Sequence, residues 1–600
     1  MVFFNTQKVT VSNNPLPYLF GRMWHYSQNR KTVVLFWTMF LAVGIMELII
    51  PPFIWAKIMD IVLRQGVMAG SFKLLVGFLG LMLLEPFLTW SLHGPARVME
   101  ENNAFLCRAN YRKYLLRGVM TLPMEWHTEH HSGDVFDKIE KGTGALYAFS
   151  QYSFEIIYAL VRLFGSYLVL IYFSRPAALI VLTMILVSAW ITIRFDRILI
   201  HQYKELNRAE NQISANVFDA ISNISTVIIL RVERLVYRAI VGKIDQPYDL
   251  QRLNNQYNEW KWFLTNICCT TMTVVVLLVY LWQHLGSKPG ELVVPLGLLY
   301  AYLRNINDVF FRFTSMYGDI IIRRAKIMNA EELSRDFIAE SFANHVLPPD
   351  WRTLQITGLT FFYQQNNDQE PSLNDISLEL NRGERIAFVG RSGSGKTTLL
   401  KLMRDLYHPQ QLDLLVDGRQ VPEGFAGISR AIALVPQDPE IFATTIGENI
   451  TLGAEHDPET VRRFTDMACF SAVVNTLPHG LQSSIKEKGV NLSGGQQQRL
   501  ALSRGLLACD DKDVLLLDEP TSSQDTETEM AIYRNIFGYF RQQAIISSVH
   551  RLHILPLFDR IYFFQEGKIL ASGSLNELLL TCPEFSQQWE QYHHPERISE

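Results

Sequence analysis

Leu492-Ser493-Gly494-Gly495-Gln496 takes its meaning from two flanking segments. Upstream stands Gly390-Arg391-Ser392-Gly393-Ser394-Gly395-Lys396-Thr397-Thr398, and downstream Val514-Leu-Leu-Leu-Asp518-Glu519-Pro520. The run Ile386-Ala-Phe-Val389 predicts a buried strand before the glycine-rich loop, and Thr398-Leu-Leu-Lys-Leu-Met403 predicts a helix after it. Strand, GxxxxGKT and helix form the context in which such a loop cradles phosphates. Its glycines let backbone N–H groups turn inward, and the helix N-terminus adds a favourable dipole. Lys396 is placed to neutralise β/γ-phosphate oxygens, and the Thr397 hydroxyl suits Mg2+. Asp518 ends an apolar strand, where it can hold Mg2+ through water. Glu519, next in the chain, is the natural general base for a water attacking the γ-phosphate. Two acids at the carboxyl end of a buried strand stand where open α/β sheets gather ligands.

Outward from this core the composition splits. The chain has 600 residues, 48% of them hydrophobic, with a net charge of −4. That length exceeds one core, so several domains are expected. Near-neutral charge gives no reason to expect a nucleic-acid partner. Cys107, Cys268, Cys269, Cys469, Cys509 and Cys582 form no CxxC or Cys/His pattern, so neither a disulfide framework nor a zinc site is expected. Met1–Tyr18 reads as neither a secretory signal nor a transit peptide.

Six apolar segments are long enough to span a bilayer: Thr32–Leu63, Phe72–His93, Tyr152–Ser174, Ala177–Phe195, Trp262–His284 and Leu292–Phe313. Pro51-Pro52 predicts a kink or an unwound turn in the first. Arg22, Arg30 and Lys31 precede the first span, and arginine-rich stretches follow the second and fourth, so both termini are expected in the cytoplasm. The connections Gly94–Phe149 and Asp196–Trp260 carry helical apolar spacing and predict helices that prolong the spans. Leu16–Tyr26 is aromatic and amphipathic, suiting an elbow helix at the membrane surface. The boundaries read from the sequence are 1–31 for an N-terminal segment, 32–322 for a transmembrane domain, 323–350 for a linker, 351–592 for a nucleotide-binding domain and 593–600 for a tail. The fold class is multi-domain: an all-α six-helix membrane domain with long cytoplasmic extensions, then an α/β P-loop ATPase domain with a helical subdomain.

Over nearly its full length the chain resembles the ATP-binding-cassette transporters, and within them the exporter-type half-transporters. The resemblance implies that Tyr363 stacks on adenine, and that Gln437 reaches Mg2+ and the attacking water. It implies that Ser493, Gly494, Gly495 and Gln496 contact the γ-phosphate of a nucleotide held by a second cassette. Asp525 would couple the two sites, His550 would orient the γ-phosphate, and Lys486–Gly489 would touch the partner's cytoplasmic helices. Coupling helices are implied near 124–130 and 213–222. Three departures stand out: Ser522-Ser-Gln-Asp525 replaces the usual Ser-Ala-Leu-Asp, Gln497 replaces an arginine, and Ser503-Arg-Gly505 replaces Ala-Arg-Ala. None touches Lys396, Asp518, Glu519 or His550, so a hydrolysing site is expected, with ATP and Mg2+ as its ligands.

Charged residues inside spans are functional candidates because burying them in lipid is expensive. Arg304, Asp308 and Arg312 recur every fourth residue in the sixth segment, and Glu47, Glu85, Glu155 and Arg162 lie in earlier ones. They either pair between helices or sit in the cytoplasmic extensions, or Arg304 and Arg312 line a cavity and meet an anionic group such as a lipid head. The expectation is therefore an integral multi-pass protein of a bacterial inner membrane with its ATPase domain cytoplasmic. It would work with a second half-transporter, as homodimer or heterodimer, on a lipid, amphipathic small molecule or peptide. An importer on the same fold, and a non-transporting cassette ATPase, are the alternatives.

Overall fold

The computed structural model describes residues 14–287, 289–337, 347–363, 371–438, 440–485 and 491–593. The segment Lys486–Gly489, residues 1–13, part of the expected linker and residues 594–600 of the expected tail lie outside them. The chain divides into two compact units, Met1–Leu122 with His127–Ile338, and Pro123–Trp126 with Ala339–Glu600.

The first unit is helical: α1 (Pro15–Tyr26), α2 (Arg30–Gln65), α3 (Ala69–Met120), α4 (Met124–Glu129), α5 (Ser132–Gln151), α6 (Ser153–Phe173), α7 (Arg175–Ser222), α8 (Ile224–Ile229), α9 (Glu233–Asp245), α10 (Tyr248–Gln283) and α11 (Pro289–Glu332). Residues α4 shares with Pro123–Trp126 fall in the second unit. Helix starts follow capping chemistry: the Asn29 side chain accepts from the Lys31 N–H, and Ser174 accepts from Ala177 N–H ahead of a proline in the first turn. Among the described residues five stretches are long and apolar enough to cross a membrane: α2, α3, α6, α7 and Glu233–Gln283, which joins α9 and α10. The sixth expected span is helical within α11 but not among those five, because Arg304, Asn305, Asn307 and Asp308 interrupt its apolar run.

The predicted extensions are helical, α3 running to Met120 and α7 to Ser222. Two local readings come out differently. Of the kink or unwound turn expected at Pro51-Pro52, the unwound turn is not found: α2 stays helical there, as membrane helices can where neighbouring groups re-satisfy the freed backbone. Ile213–Ser222 forms the last turns of α7 rather than a separate helix; the break comes at Asn223, whose side chain donates to the Asp219 carbonyl and ends the helix, and the short α8 follows. α1 is fastened to the end of α11: Arg22 Nε lies 2.6 Å from Glu331 Oε1, and the Tyr18 hydroxyl donates to Glu331 Oε2 at 2.7 Å. α11 itself runs to Glu332, past the expected start of the linker.

The second unit alternates strand and helix: β1 (Thr353–Phe361), β2 (Leu373–Asn381), β3 (Arg385–Gly390), α12 (Lys396–Met403), β4 (Gln411–Val416), β5 (Arg419–Gln420), β6 (Ile432–Val435), α13 (Ile446–Thr451), α14 (Pro458–Met467), α15 (Ser471–Thr476), α16 (Gly494–Ala508), β7 (Val514–Asp518), α17 (Thr526–Tyr539), β8 (Ala544–Val549), β9 (Arg560–Gln565) and β10 (Lys568–Gly573). One sheet has the order β10-β9-β3-β8-β7-β6, and a second, antiparallel one has β2-β1-β4-β5. Within the first, β9, β3, β8, β7 and β6 run parallel. β7 and β8 are buried along their whole lengths, as strands covered on both faces must be. Phe464 of α14, Phe470 at the start of α15 and Leu500 of α16 share one core with Leu515 and Leu517 of β7. The helical layer α13–α16 is thus anchored to the strand that ends in Asp518.

Candidate functional site

Everything at the site hangs on strand register. β3 delivers the loop Gly390–Gly395 to the N-terminus of α12, and β7 pairs with β8 so that Asp518 lies opposite Ser548. The Ser548 hydroxyl donates to Asp518 Oδ1 at 2.7 Å, and the Thr397 hydroxyl donates to the same oxygen at 3.0 Å. Burial raises the Asp518 pKa, and these two hydrogen bonds oppose the shift. Lys396 is 5% exposed; its Nζ donates to the carbonyls of Gly390 at 2.8 Å and Arg391 at 3.1 Å. Burial lowers its pKa, against the charges of Glu519 and Asp518.

Two glycines of the loop are structurally required. Gly390 has φ +157° and Gly395 φ +104°; a Cβ on the first would collide with the Phe564 carbonyl, and one on the second would press into Leu373. The chain is therefore drawn tight around the loop, which closes on itself through the Ser394 N–H donating to the Arg391 carbonyl at 3.2 Å. Ser394 Oγ is buried without a hydrogen-bond partner among the described residues.

Glu519 adopts a left-handed backbone with φ +46°, a conformation costly for a residue with a Cβ and found most often where function over-determines it. Its N–H donates to Ser548 Oγ at 3.0 Å. Its carboxylate is held on both sides: His550 Nε2 lies 2.8 Å from Oε1, and Gln437 Nε2 donates to Oε2 at 3.0 Å. The Tyr363 hydroxyl donates to Thr398 Oγ1 at 3.4 Å, and its ring packs on Phe361 and Tyr407.

Lys396, Thr397, Thr398, Gln437, Asp518, Glu519, His550 and Tyr363 are thus gathered by the fold. The signature residues make a structure of their own. Ser493 Oγ accepts from the Gln496 N–H at 3.3 Å, and Gln496 Oε1 accepts from the Ser493 N–H at 3.0 Å, a capping box on α16. Asp525 caps α17 by accepting from the Thr528 N–H, which lowers its pKa. The roles of three residues escaped sequence reading: Ser548, Gln498 and Gln524, the last noticed only as part of the departing turn Ser522–Asp525. The signal for Ser548 was there, since Ser547-Ser548 are the polar residues in the apolar run Ala544–Val549.

In the helical unit Glu47 and Arg162 pair across α2 and α6 at 3.0 Å. Arg304, Asp308 and Arg312 lie exposed on one face of α11, and among the described residues none forms an ion pair or hydrogen bond.

A helical unit with membrane-crossing stretches, followed by a P-loop α/β unit, defines a membrane-embedded nucleotide-binding protein. The comparisons give the family. The model for the ABC transporter transmembrane region matches residues 34–305, and that for the ABC transporter matches residues 373–522. The chain belongs to the ABC transporters and has the half-transporter architecture of the exporters. It is 29% identical over 77% of its length to the mitochondrial iron-sulfur clusters transporter ATM1 of Candida glabrata, of which it covers 64%. It is 26% identical over 78% of its length to the ATP-dependent lipid A-core flippase of Idiomarina loihiensis, of which it covers 80%. A solved structure of a bacterial Atm1-family ABC exporter with ATP bound shares the fold: TM-score 0.82, 22% identity, 94% of this chain and 98% of that one.

Proposed function

We propose that this chain is one half of an ATP-driven exporter, and that two such halves hydrolyse ATP at composite sites to drive alternating access across the membrane. The observation carrying this reading is the convergence of Lys396, Thr397, Asp518, Glu519, Gln437 and His550 at the carboxyl ends of β3, β6, β7 and β8, in the same chain as a membrane unit. ATP would lie on the N-terminus of α12, with the amides of Arg391–Thr398 and the Lys396 ammonium meeting its phosphates and Tyr363 its adenine. The hydroxyl of Thr397 and the carboxylate of Asp518 already share a hydrogen bond, a hard-oxygen pair that fits Mg2+, with Gln437 adjacent. When bound, that ion neutralises charge on the β/γ oxygens. Glu519 would accept the proton of the attacking water, and His550 would steady both Glu519 and the γ-phosphate. Ser493, Gly494, Gly495 and Gln496 would close over the partner's nucleotide, with Asp525 linking the two sites.

Glu519→Gln tests the chemistry. ATP binding should persist while turnover falls by about 10²–10⁴, the span attributed to a general base; wild-type turnover would remove Glu519 from that role.

Matched relatives are named for different cargoes, an iron-sulfur cluster and lipid A-core, so the substrate class is read from the chain itself. Arg304, Asp308 and Arg312 on one face of α11 do not belong against lipid and support a water-filled pathway for an amphipathic molecule bearing an anionic group. Changing Arg304 and Arg312 together to Gln should lower substrate-stimulated ATPase activity and leave the basal rate intact. Unchanged stimulation would sink this assignment.

A further inference from the structure

The turn Ser522–Asp525 carries a glutamine that is 4% exposed, although Ser522, Ser523 and Asp525 around it are exposed. Both ends of the Gln524 amide are bonded. Its Nε2 donates to the Gly495 carbonyl at 2.9 Å and to Gln498 Oε1 at 3.2 Å, and its Oε1 accepts from Arg499 Nη1 at 2.6 Å. Gln498, 5% exposed, extends the network: its Nε2 donates to Ser522 Oγ at 2.9 Å and to the Glu519 carbonyl at 3.3 Å, while its Oε1 accepts from the Ser523 N–H at 3.0 Å. From the other side Arg551, the neighbour of His550, donates to the carbonyls of Gln524 and Ser522. The fit is close, since a Cβ on Gly495 would stand 3.0 Å from the Ser523 carbonyl oxygen.

A buried amide with its donors and acceptor matched is selective for geometry. A leucine of similar size would fill the volume yet leave the Arg499 guanidinium and the Gly495 carbonyl short of a partner. We infer that Gln524 is a positioning residue that clamps the Ser522–Asp525 turn to the first turns of α16, so that Gly495, Glu519 and the His550–Arg551 segment move as one piece. Gln524 acts through Gln498, whose amide holds the Glu519 carbonyl. Whatever anion settles on Ser493–Gly495 then bears mechanically on the Glu519 of the same chain, which serves the other nucleotide. That last step rests on the proposed composite sites; the clamp itself does not.

The test uses the full-length protein in detergent or nanodiscs, with Gln524→Leu and Gln524→Glu. Hydrogen exchange without nucleotide reads the clamp: in Gln524→Leu, residues 494–499 and 522–525 should both exchange several-fold faster, and residues 386–400 should not change. Kinetics read the coupling: the KM for ATP should stay within about twofold while kcat falls about 5–10-fold and the Hill coefficient drops toward 1, as expected for loss of one buried hydrogen-bonded group. Gln524→Glu keeps the acceptor for Arg499 and loses the donor, and should fall between. Faster exchange confined to one segment, or kcat and Hill coefficient at wild-type values, overturns the inference. Failure of the composite-site reading looks different: the wild type itself would show a Hill coefficient of 1, and exchange alone would then decide the clamp.

Discussion

Two helix N-termini in the nucleotide-binding unit look alike on paper and differ in build. α12 opens after Gly393-Ser394-Gly395 and α16 opens on Gly494-Gly495, and each leaves its first backbone amides without intrahelical acceptors. Around α12 the chain supplies a buried lysine, an acidic strand end, and backbone so close that a methyl group on Gly390 would stand 2.3 Å from the Phe564 carbonyl oxygen. Around α16 it supplies a self-made cap, and among the described residues nothing stands within 4 Å of a Cβ on Gly494. The first terminus is enclosed by its own chain. The second is capped by its own side chains and otherwise open.

The comparison can be broken by matched substitutions. The largest effect is expected at Lys396: changing it to Ala removes the charge proposed to meet the phosphates and should cut kcat/KM about 10²–10³-fold, the scale of losing one preorganised electrostatic group. Gly494→Ala should leave ATP affinity and thermal midpoint at wild-type values and lower kcat about tenfold, since among the described residues the methyl group meets nothing and would obstruct what is proposed to dock there. A loss of affinity as large as that of Lys396→Ala would show that the two termini serve the same nucleotide within one chain. Asp518→Asn sharpens the contrast through stability. Burial raises the Asp518 pKa, so above the unfolded carboxylate range the folded state carries an unfavourable charge, fully felt once pH exceeds the raised value. The nucleotide-free variant should therefore melt no lower than wild type at pH 7.5, and its advantage should shrink on acidification, as thermal scans across pH would read. The smallest effect is expected from Ser493→Ala, which removes an exposed cap worth about 1 kcal/mol; a loss several times larger would mean that Ser493 holds more than its own helix.

How much was legible follows from the range of each interaction. The P-loop, the acidic strand and the self-capping signature are local patterns, so spacing alone exposed them. The apolar spans and the helical extensions were equally local. Ser548 was not, because it reaches Asp518 only through the pairing of β7 with β8. Gln498 and Gln524 escaped for the same reason; each looks like a solvated amide until α16 and the turn after β7 are packed together. The end of α7 was misplaced because the terminating bond is a single side chain, Asn223, folding back on Asp219. The sixth span was read from its apolar residues, and the polar ones that interrupt it proved to be the more informative set.

The carboxylate of Glu519 is fixed in direction from two sides. With His550 on one oxygen and Gln437 on the other, the resting side chain has both of its oxygens already engaged. Each oxygen keeps a further lone pair, so another donor can approach while the amide and the imidazole hold the group still. Turning the carboxylate would break one of those two bonds, so its direction is set by the fold rather than by whatever reaches it.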